Sequence, residues 1–126
     1  MKITERVREI VELNLTNHYI PLAVLNGSPK IYPEYYGRFS DENVLVFPAT
    51  GATGIGRDLA EAERAQAMVA DRAGGFEAYL LEGSARYVSG DEDYDLISMM
   101  QNESPGFPIH GAVVFKINNV RLMPPP

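Results

Sequence analysis

Residues 18–39, HYIPLAVLNGSPKIYPEYYGRF, decide the fold of this chain. Residues 18–25 are a nearly continuous apolar run, and Asn26-Gly27 follows them directly. Asn-Gly is a strong signal for a two-residue hairpin turn, because both positions accept a positive φ. Residues 30–39 then alternate with the period of two that is typical of a strand. The stretch therefore predicts a strand, a tight turn and a second strand.

The second strand of this hairpin has two chemically different faces. One face carries Ile31, Pro33, Tyr35, Gly37 and Phe39, and the other carries Lys30, Tyr32, Glu34, Tyr36 and Arg38. We expect one face to be core, and the other is aromatic and polar. Proline cannot donate a hydrogen bond to a ladder, so Pro21 and Pro33 each predict an edge, a bulge or a strand end.

Helical and extended periodicities predict the remaining elements. Helices are predicted at residues 3–13, 58–64 and 89–100, and further strands at residues 44–48, 66–71, 76–88 and 110–123. In the last helix Tyr94, Ile97 and Met100 are suited to an inward face. Six strands in one short chain, several of them apolar on both faces, fit a barrel better than an open sheet. We expect one domain over residues 1–126, with residues 124–126 as a frayed tail.

The composition excludes several classes of function. The 126 residues carry a net charge of -6 and no cysteine, which excludes disulfides, thiolate zinc sites and cysteine nucleophiles. An acidic chain repels polyanions, so nucleic acid and anionic membranes are poor candidate partners. No apolar stretch approaches the ~18 residues of a membrane span, and a cytoplasmic location is the default expectation.

The loop of residues 49–57, ATGATGIGR, is the segment that best fits a ligand. Its glycines let the backbone approach a ligand closely, Thr50 and Thr53 offer hydroxyl groups, and Arg57 offers a bidentate charge. The helix that follows directs its N-terminus at the same place, which favours an anion. The pattern is neither a P-loop nor a dinucleotide fingerprint. Two interpretations stay open: a phosphate site and a flexible connection from strand to helix.

Three tyrosines of the hairpin, Tyr32, Tyr35 and Tyr36, form a second candidate feature. Tyrosines on a strand stack on a flat ring or pack in cores and interfaces, and we favour a dimer interface that also contacts a cofactor. Glu34 between them is a candidate base. A carboxylate opposite Lys30 or Arg38 is more often part of an ordinary cross-strand ion pair.

The two histidines, His18 and His110, do not predict a metal site. They lie far apart in the sequence, each at the beginning of a predicted strand, and no HxxxH spacing occurs. A structural histidine is the better interpretation of both. No catalytic constellation can be assembled from the sequence.

These motifs together resemble the FMN-binding split-barrel family, which includes pyridoxamine 5'-phosphate oxidases and small flavin-binding proteins of this length. The resemblance spans nearly all of the chain, and its most characteristic piece is Leu81-Glu82-Gly83-Ser84-Ala85 before an acidic helix start. It implies a mainly β fold with helices (α+β), namely a six-stranded antiparallel split β-barrel of Greek-key type with short flanking helices.

The resemblance also implies a cofactor and its site. In that family FMN lies at the interface of a homodimer, with its phosphate on the strand-to-helix loop and its ring on the second strand and the partner chain. The cofactor-binding residues implied for this chain are Pro33, Glu34, Tyr35, Pro48, Ala49, Thr50, Gly51, Thr53, Gly54, Ile55 and Arg57. The implied function is flavin-dependent redox chemistry or electron transfer.

Two departures from the family pattern leave alternatives open. Family loops commonly carry a cation and then a hydroxyl residue where this chain has Gly54 and Ile55, which leaves Arg57 as the nearby cation. The alternative is a split-barrel dimer that has lost flavin and binds another small ligand or a protein partner. A third possibility is a deazaflavin or haem role, and haem would require His18 or His110 to line the cleft. Residues 118–126 hold no counterpart of the oxidase substrate motif, so that activity is not predicted.

Overall fold

A computed structural model of the protein describes residues 3–13, 19–25, 27–50, 54–61, 63–71, 75–103 and 106–126. Within them the helices are α1 (Ile3–Leu13), α2 (Ile55–Glu61) and α3 (Tyr94–Glu103). The strands are β1 (Ile20–Val24), β2 (Lys30–Glu34), β3 (Arg38–Asp41), β4 (Val44–Ala49), β5 (Arg64–Ala70), β6 (Ala78–Ser89) and β7 (Gly111–Leu122). The prediction of a mainly β protein with three helices is confirmed. None of the described helices is long and apolar enough to cross a membrane.

The seven strands form one sheet in the order β2-β1-β5-β6-β7-β4-β3. Every neighbouring pair is antiparallel. The predicted strand pair is present as β1 and β2, in which Ile20 lies opposite Glu34 and Val24 opposite Lys30. The expected two-residue turn is wrong, because this register is centred on Gly27 and five residues separate the two strands. Asn26 of its turn lies outside the described residues.

The described residues hold seven strands, so the prediction of six is wrong. Residues 30–39 do not form one strand, because Tyr36 has a φ of +55°, and this left-handed conformation interrupts the extended chain. β2 and β3 therefore lie at opposite edges of the sheet. The four peptide units from Glu34 to Arg38 span at most about 15 Å, so the sheet curls until its two edges approach each other. The Greek-key arrangement stays a prediction.

The core lies on the inner face of the curled sheet, where α1 and α2 cover it. α1 contributes Val7, Ile10 and Val11, as its periodicity predicts, and α2 contributes Ile55 and Leu59. α2 begins three residues before its predicted start. Its apolar residues set that boundary, because burial of Ile55 favours an early first turn.

A second, smaller core lies between α3 and the outer face of the sheet. Its buried members are Val46, Ile97, Met100, Ile109 and Ala112. The predicted inward positions Ile97 and Met100 are confirmed, whereas Tyr94 is 75% exposed. The helix begins at Tyr94 rather than at residue 89.

The late start of α3 follows from its cap. The Asp93 carboxylate accepts a hydrogen bond from the backbone N–H of Leu96 at 3.1 Å, which satisfies a donor of the first turn. The predicted capping-box residues Ser89 and Glu92 do hydrogen-bond to each other, but they close the turn that precedes the helix.

Gly83, in the segment that carries the family resemblance, lies where the β6–β7 register shifts. A Cβ at this position would lie 1.9 Å from the Lys116 carbonyl oxygen, so only glycine permits this approach of the two backbones. The shift bends the longest ladder of the sheet and contributes to its curl.

Candidate functional site

The end of the glycine loop forms a tight turn into α2. Gly54 has a φ of +77°, and its carbonyl oxygen accepts the backbone N–H groups of Arg57 (3.1 Å) and Asp58 (3.3 Å). The Arg57 side chain is exposed, and its guanidinium lies 3.5 Å from where a Cβ on Gly54 would be. A cation therefore stands directly beside the glycine turn.

The next residue, Asp58, has a buried carboxylate that binds two side chains of β2. The Tyr32 hydroxyl donates a hydrogen bond to Oδ2, and the Lys30 Nζ donates to Oδ1 at 3.3 Å. The hydrogen bond from Tyr32, followed by the one from Lys30, holds the pKa of Asp58 below its usual value. The same bond to Asp58 raises the pKa of Tyr32 to about 12. We call these three residues, Lys30, Tyr32 and Asp58, the Asp58 clamp.

The Asp58 clamp joins the two segments that the sequence singled out. The charges of both Arg57 on α2 and Glu34 on β2 act on the Tyr32 hydroxyl. Predicted site residues of the second strand and of the glycine loop therefore lie close enough to Tyr32 for their charges to influence its pKa. The sequence predicted neither Tyr32 nor Asp58 as joining them, although Tyr32 lies within residues 18–39 and Asp58 directly follows the loop of residues 49–57.

Glu34 is a buried carboxyl group beside this meeting point. Its side chain is 6% exposed, and burial raises its pKa to about 7. The cross-strand ion pair expected for it is absent from the described residues, because Lys30 pairs with Asp58 and Arg38 pairs with Glu103. Glu34 can therefore take up or release a proton near neutral pH.

The outward face of β2 carries the residues that the sequence assigned to the apolar face. Ile31 is 70% exposed and Tyr35 51% exposed, and Pro33 between them is exposed too. From the polar set, Tyr32 packs against the core and Glu34 is buried, whereas Lys30 at the start of the strand is exposed. Ile31, Pro33 and Tyr35 thus form an apolar strip at the edge of the sheet.

The three tyrosines do not form one cluster. Tyr32 points inward to Asp58. The ring of Tyr35 lies 6.1 Å from that of Tyr19, and the ring of Tyr36 lies 5.8 Å from that of Phe107. Of the three tyrosines, Tyr35 is the one whose ring belongs to the apolar strip.

The other predicted site residues differ in what they can offer a ligand. Pro48 and Ala49 are buried and pair with Ala112 and Gly111 of β7, while Thr50 is exposed. Ile55 is a core residue, so its side chain cannot contact a ligand at the surface.

Some of the expectations lie outside the described residues. Gly51 and Thr53, both assigned to the phosphate loop, are in this group, and so is His18. His110 is exposed, and its backbone N–H donates to the Ala49 carbonyl oxygen at 2.9 Å. Within the described ranges, no group of three or more potential metal ligands forms.

A cleft of about 600 Å³ lies elsewhere, on the outer face of the sheet below α3. Its lining combines the basic residues Arg86 and Lys116 with the apolar Val44, Val46 and Val114. Acidic residues, among them Asp41 and Asp93, line it too. None of the predicted site residues lines it, and sequence reasoning missed it. Alternation places these basic and apolar residues on one face of three neighbouring strands, but the strand order that makes them neighbours was not readable.

Comparison with known proteins identifies the fold. No protein-family model matches the chain, and no curated protein matches it in sequence. Among solved structures, HupZ of Group A Streptococcus superposes with a TM-score of 0.77 at 14% identity, covering 97% of this chain and 94% of that chain.

Two further structures carry names that describe a cofactor or an activity. An FMN-binding protein of Syntrophomonas wolfei has a TM-score of 0.74 at 16% identity, covering 96% of this chain and 86% of that chain. A candidate pyridoxamine 5'-phosphate oxidase of Lactobacillus delbrueckii has a TM-score of 0.71 at 18% identity, covering 95% and 93%. At these identities the likeness shows the fold, which is the pyridoxamine-phosphate-oxidase-like split barrel that the resemblance implied.

Proposed function

We propose that this chain is a homodimeric FMN-binding protein of redox or electron-transfer type. The observation that carries the proposal is the Asp58 clamp, which brings the glycine turn and Arg57 against the strand that bears Glu34 and Tyr35. The likeness in fold to an FMN-binding protein supports it.

The described residues fit the two chemically different ends of FMN. Arg57 is exposed beside the Gly54 turn and is placed to hold a phosphate, with the exposed Thr50 nearby in the sequence. The apolar strip with Pro33 and Tyr35 offers a surface for a flat ring. When bound, the flavin supplies the electron transfer, and the protein supplies position and electrostatics.

The local charge at this place on the surface suits a phosphate. The chain carries a net charge of -6, so a phosphate needs a local positive region. Lys30 offsets the charge of Asp58, and the described residues hold no ion pair of Arg57. One positive charge is therefore left for a ligand. Glu34, with a pKa of about 7, holds its proton below that pH and adds no further negative charge there.

A homodimer of single-domain chains is the second part of the proposal. The exposed strip of Ile31, Pro33 and Tyr35 lies on an edge strand, where a second chain would cover both apolar side chains and the ring of a cofactor. Sedimentation of the apo protein at micromolar concentration is expected to show two chains. A stable monomer that still binds flavin would exclude a shared site.

An absorbance spectrum of freshly purified protein, followed by FMN titration with fluorescence quenching, tests the cofactor. We expect flavin bands or stoichiometric uptake of FMN. A colourless protein that ignores FMN at high micromolar concentration would contradict the proposal.

That negative result would favour a split-barrel protein that binds another small ligand or a protein partner. Two observations speak for this second candidate. Ile55, which stands where the family has a polar residue, is buried in the core. The cleft with Arg86 and Lys116 is large enough for a small molecule, at about 600 Å³.

A further inference from the structure

We propose that Asp58 is a positioning residue for the phosphate-bearing end of the ligand, acting through Tyr32 and Lys30 to fix Arg57 against β2. The inference rests on the proposed function and deepens it, because it names what orients the cation of that site. Asp58 itself is buried, so it acts through its neighbours rather than on the ligand.

The packing of α2 explains why such a residue is needed. The helix has seven residues, which is too short to be stable by itself. Ile55 and Leu59 anchor one face of it in the core, and apolar contacts of this kind are not directional. They fix which face of the helix is buried, but small rotations about the helix axis depend on the polar contacts that the helix makes.

The hydrogen bonds of the Asp58 clamp fix the rotation of α2 about its axis. Hydrogen bonds are strongly angle-dependent, and the carboxylate accepts from two donors on a neighbouring element. Successive residues of a helix are about 100° apart around its axis. A rotation that breaks the bonds of Asp58 therefore turns Arg57 by the same angle, away from the Gly54 turn.

β2 contributes a matched pair of donors. Lys30 and Tyr32 are two residues apart, so they lie on the same face of the strand, and both reach the same carboxylate. β2 is an edge strand that pairs only with β1 in the described sheet. The clamp is thus a cross-link between the strand proposed to contact the ring and the helix proposed to hold the phosphate.

The test compares FMN with riboflavin, which lacks the phosphate group. Tyr32→Phe removes the hydroxyl that binds Asp58, keeps the ring in the core and leaves every charge of the site in place. We expect this variant to bind FMN about tenfold more weakly, the cost of roughly one charge-assisted hydrogen bond. Riboflavin binding should change less than about twofold.

The chain offers a matched control in Tyr79→Phe. Tyr79 also donates its hydroxyl to a carboxylate, that of Glu77, at 2.5 Å, and it also lies in the main core. It takes no part in the proposed site. Tyr79→Phe is therefore expected to lower stability but to leave the affinities for both flavins unchanged.

Hydrogen exchange in the absence of any flavin separates this proposal from the proposed function. Tyr32→Phe should speed exchange of the Arg57 and Asp58 amides, which donate to Gly54, and Tyr79→Phe should not. Unchanged exchange, or equal losses of FMN and riboflavin affinity, would overturn the positioning role. Wild-type protein that binds neither flavin would instead overturn the proposed function, whatever the exchange rates show for the clamp.

Discussion

Two clusters of charge tie a helix to the sheet, and they differ in what they leave available. In the first, Arg6 on α1 binds Glu77 (2.6 Å), Asp71 (2.7 Å) and Glu9 (3.1 Å), and Tyr79 donates its hydroxyl to Glu77. In the second, the Asp58 clamp, a tyrosine again donates to a carboxylate. In both clusters a carboxylate thus binds a tyrosine hydroxyl and a basic side chain.

The difference lies in the arginine. The guanidinium group of Arg6 binds three carboxylates, those of Glu9, Asp71 and Glu77. Arg57 forms no ion pair within the described ranges, and with Lys30 it leaves the region around Asp58 with an excess of positive charge. A fully paired arginine stabilises the fold, whereas an exposed arginine beside a glycine turn is placed for a ligand.

The largest effect is expected at Glu34, a carboxyl group of this second region that forms no ion pair with any described residue. Its pKa is raised from 4.5 to about 7 by burial, so folded protein keeps a proton that unfolded protein releases. Stability is therefore full below about pH 4.5 and falls as pH rises to about 7. Glu34→Gln should stabilise the protein at pH 8 by about 3 kcal/mol, at ~1.4 kcal/mol per pH unit, and hardly at pH 4.

Urea unfolding at the two pH values measures this prediction. Glu42→Gln is the control, because Glu42 is exposed and its replacement should matter little at either pH. If Glu34→Gln stabilises the protein equally at pH 4 and pH 8, burial does not raise the pKa of Glu34, and the prediction is wrong.

The next effect is on ligand binding, at Arg57. Loss of one charged hydrogen bond to a phosphate costs ~1.5 to 3 kcal/mol, so Arg57→Ala should weaken FMN binding roughly tenfold to a hundredfold. The control is Arg86→Ala, which removes an exposed arginine from the cleft below α3. A loss of affinity with Arg86→Ala and not with Arg57→Ala would move the binding site to that cleft.

The smallest effect is expected in the Arg6 cluster. The hydrogen bond from Arg6, and then that from Tyr79, lower the pKa of Glu77 to about 2. The contribution of Glu77 to stability is therefore present above about pH 4.5 and is lost as pH falls towards 2. Glu77→Gln should lower the unfolding midpoint at pH 7 modestly, and the difference should disappear near pH 2. FMN affinity should not change. A clear loss of FMN affinity would contradict the view that the Arg6 cluster only stabilises the fold.

Much of the secondary structure was predictable because its signals are local. α1 and the inward positions Ile97 and Met100 follow from periodicity. The break at Tyr36 was not predictable, because alternation continues through it while the backbone turns. Of the loop residues, Thr50 and Arg57 are exposed, whereas Ile55 is buried in the core. No local pattern indicated that Ile55 belongs to the core.

The sequence by itself determined that β2 has two unlike faces, since alternation is a property of the strand alone. Only the tertiary structure decided which face is buried. Tyr32 faces inward because Asp58, 26 residues beyond it, provides a buried partner for its hydroxyl group, and Lys30 on the same side of the strand reaches Asp58 from an exposed position. Because Tyr32 and Glu34 face inward, the apolar residues Ile31 and Tyr35 on the other side are exposed. Partners that are distant in sequence, and not the strand pattern, thus decide which residues this protein presents to a ligand.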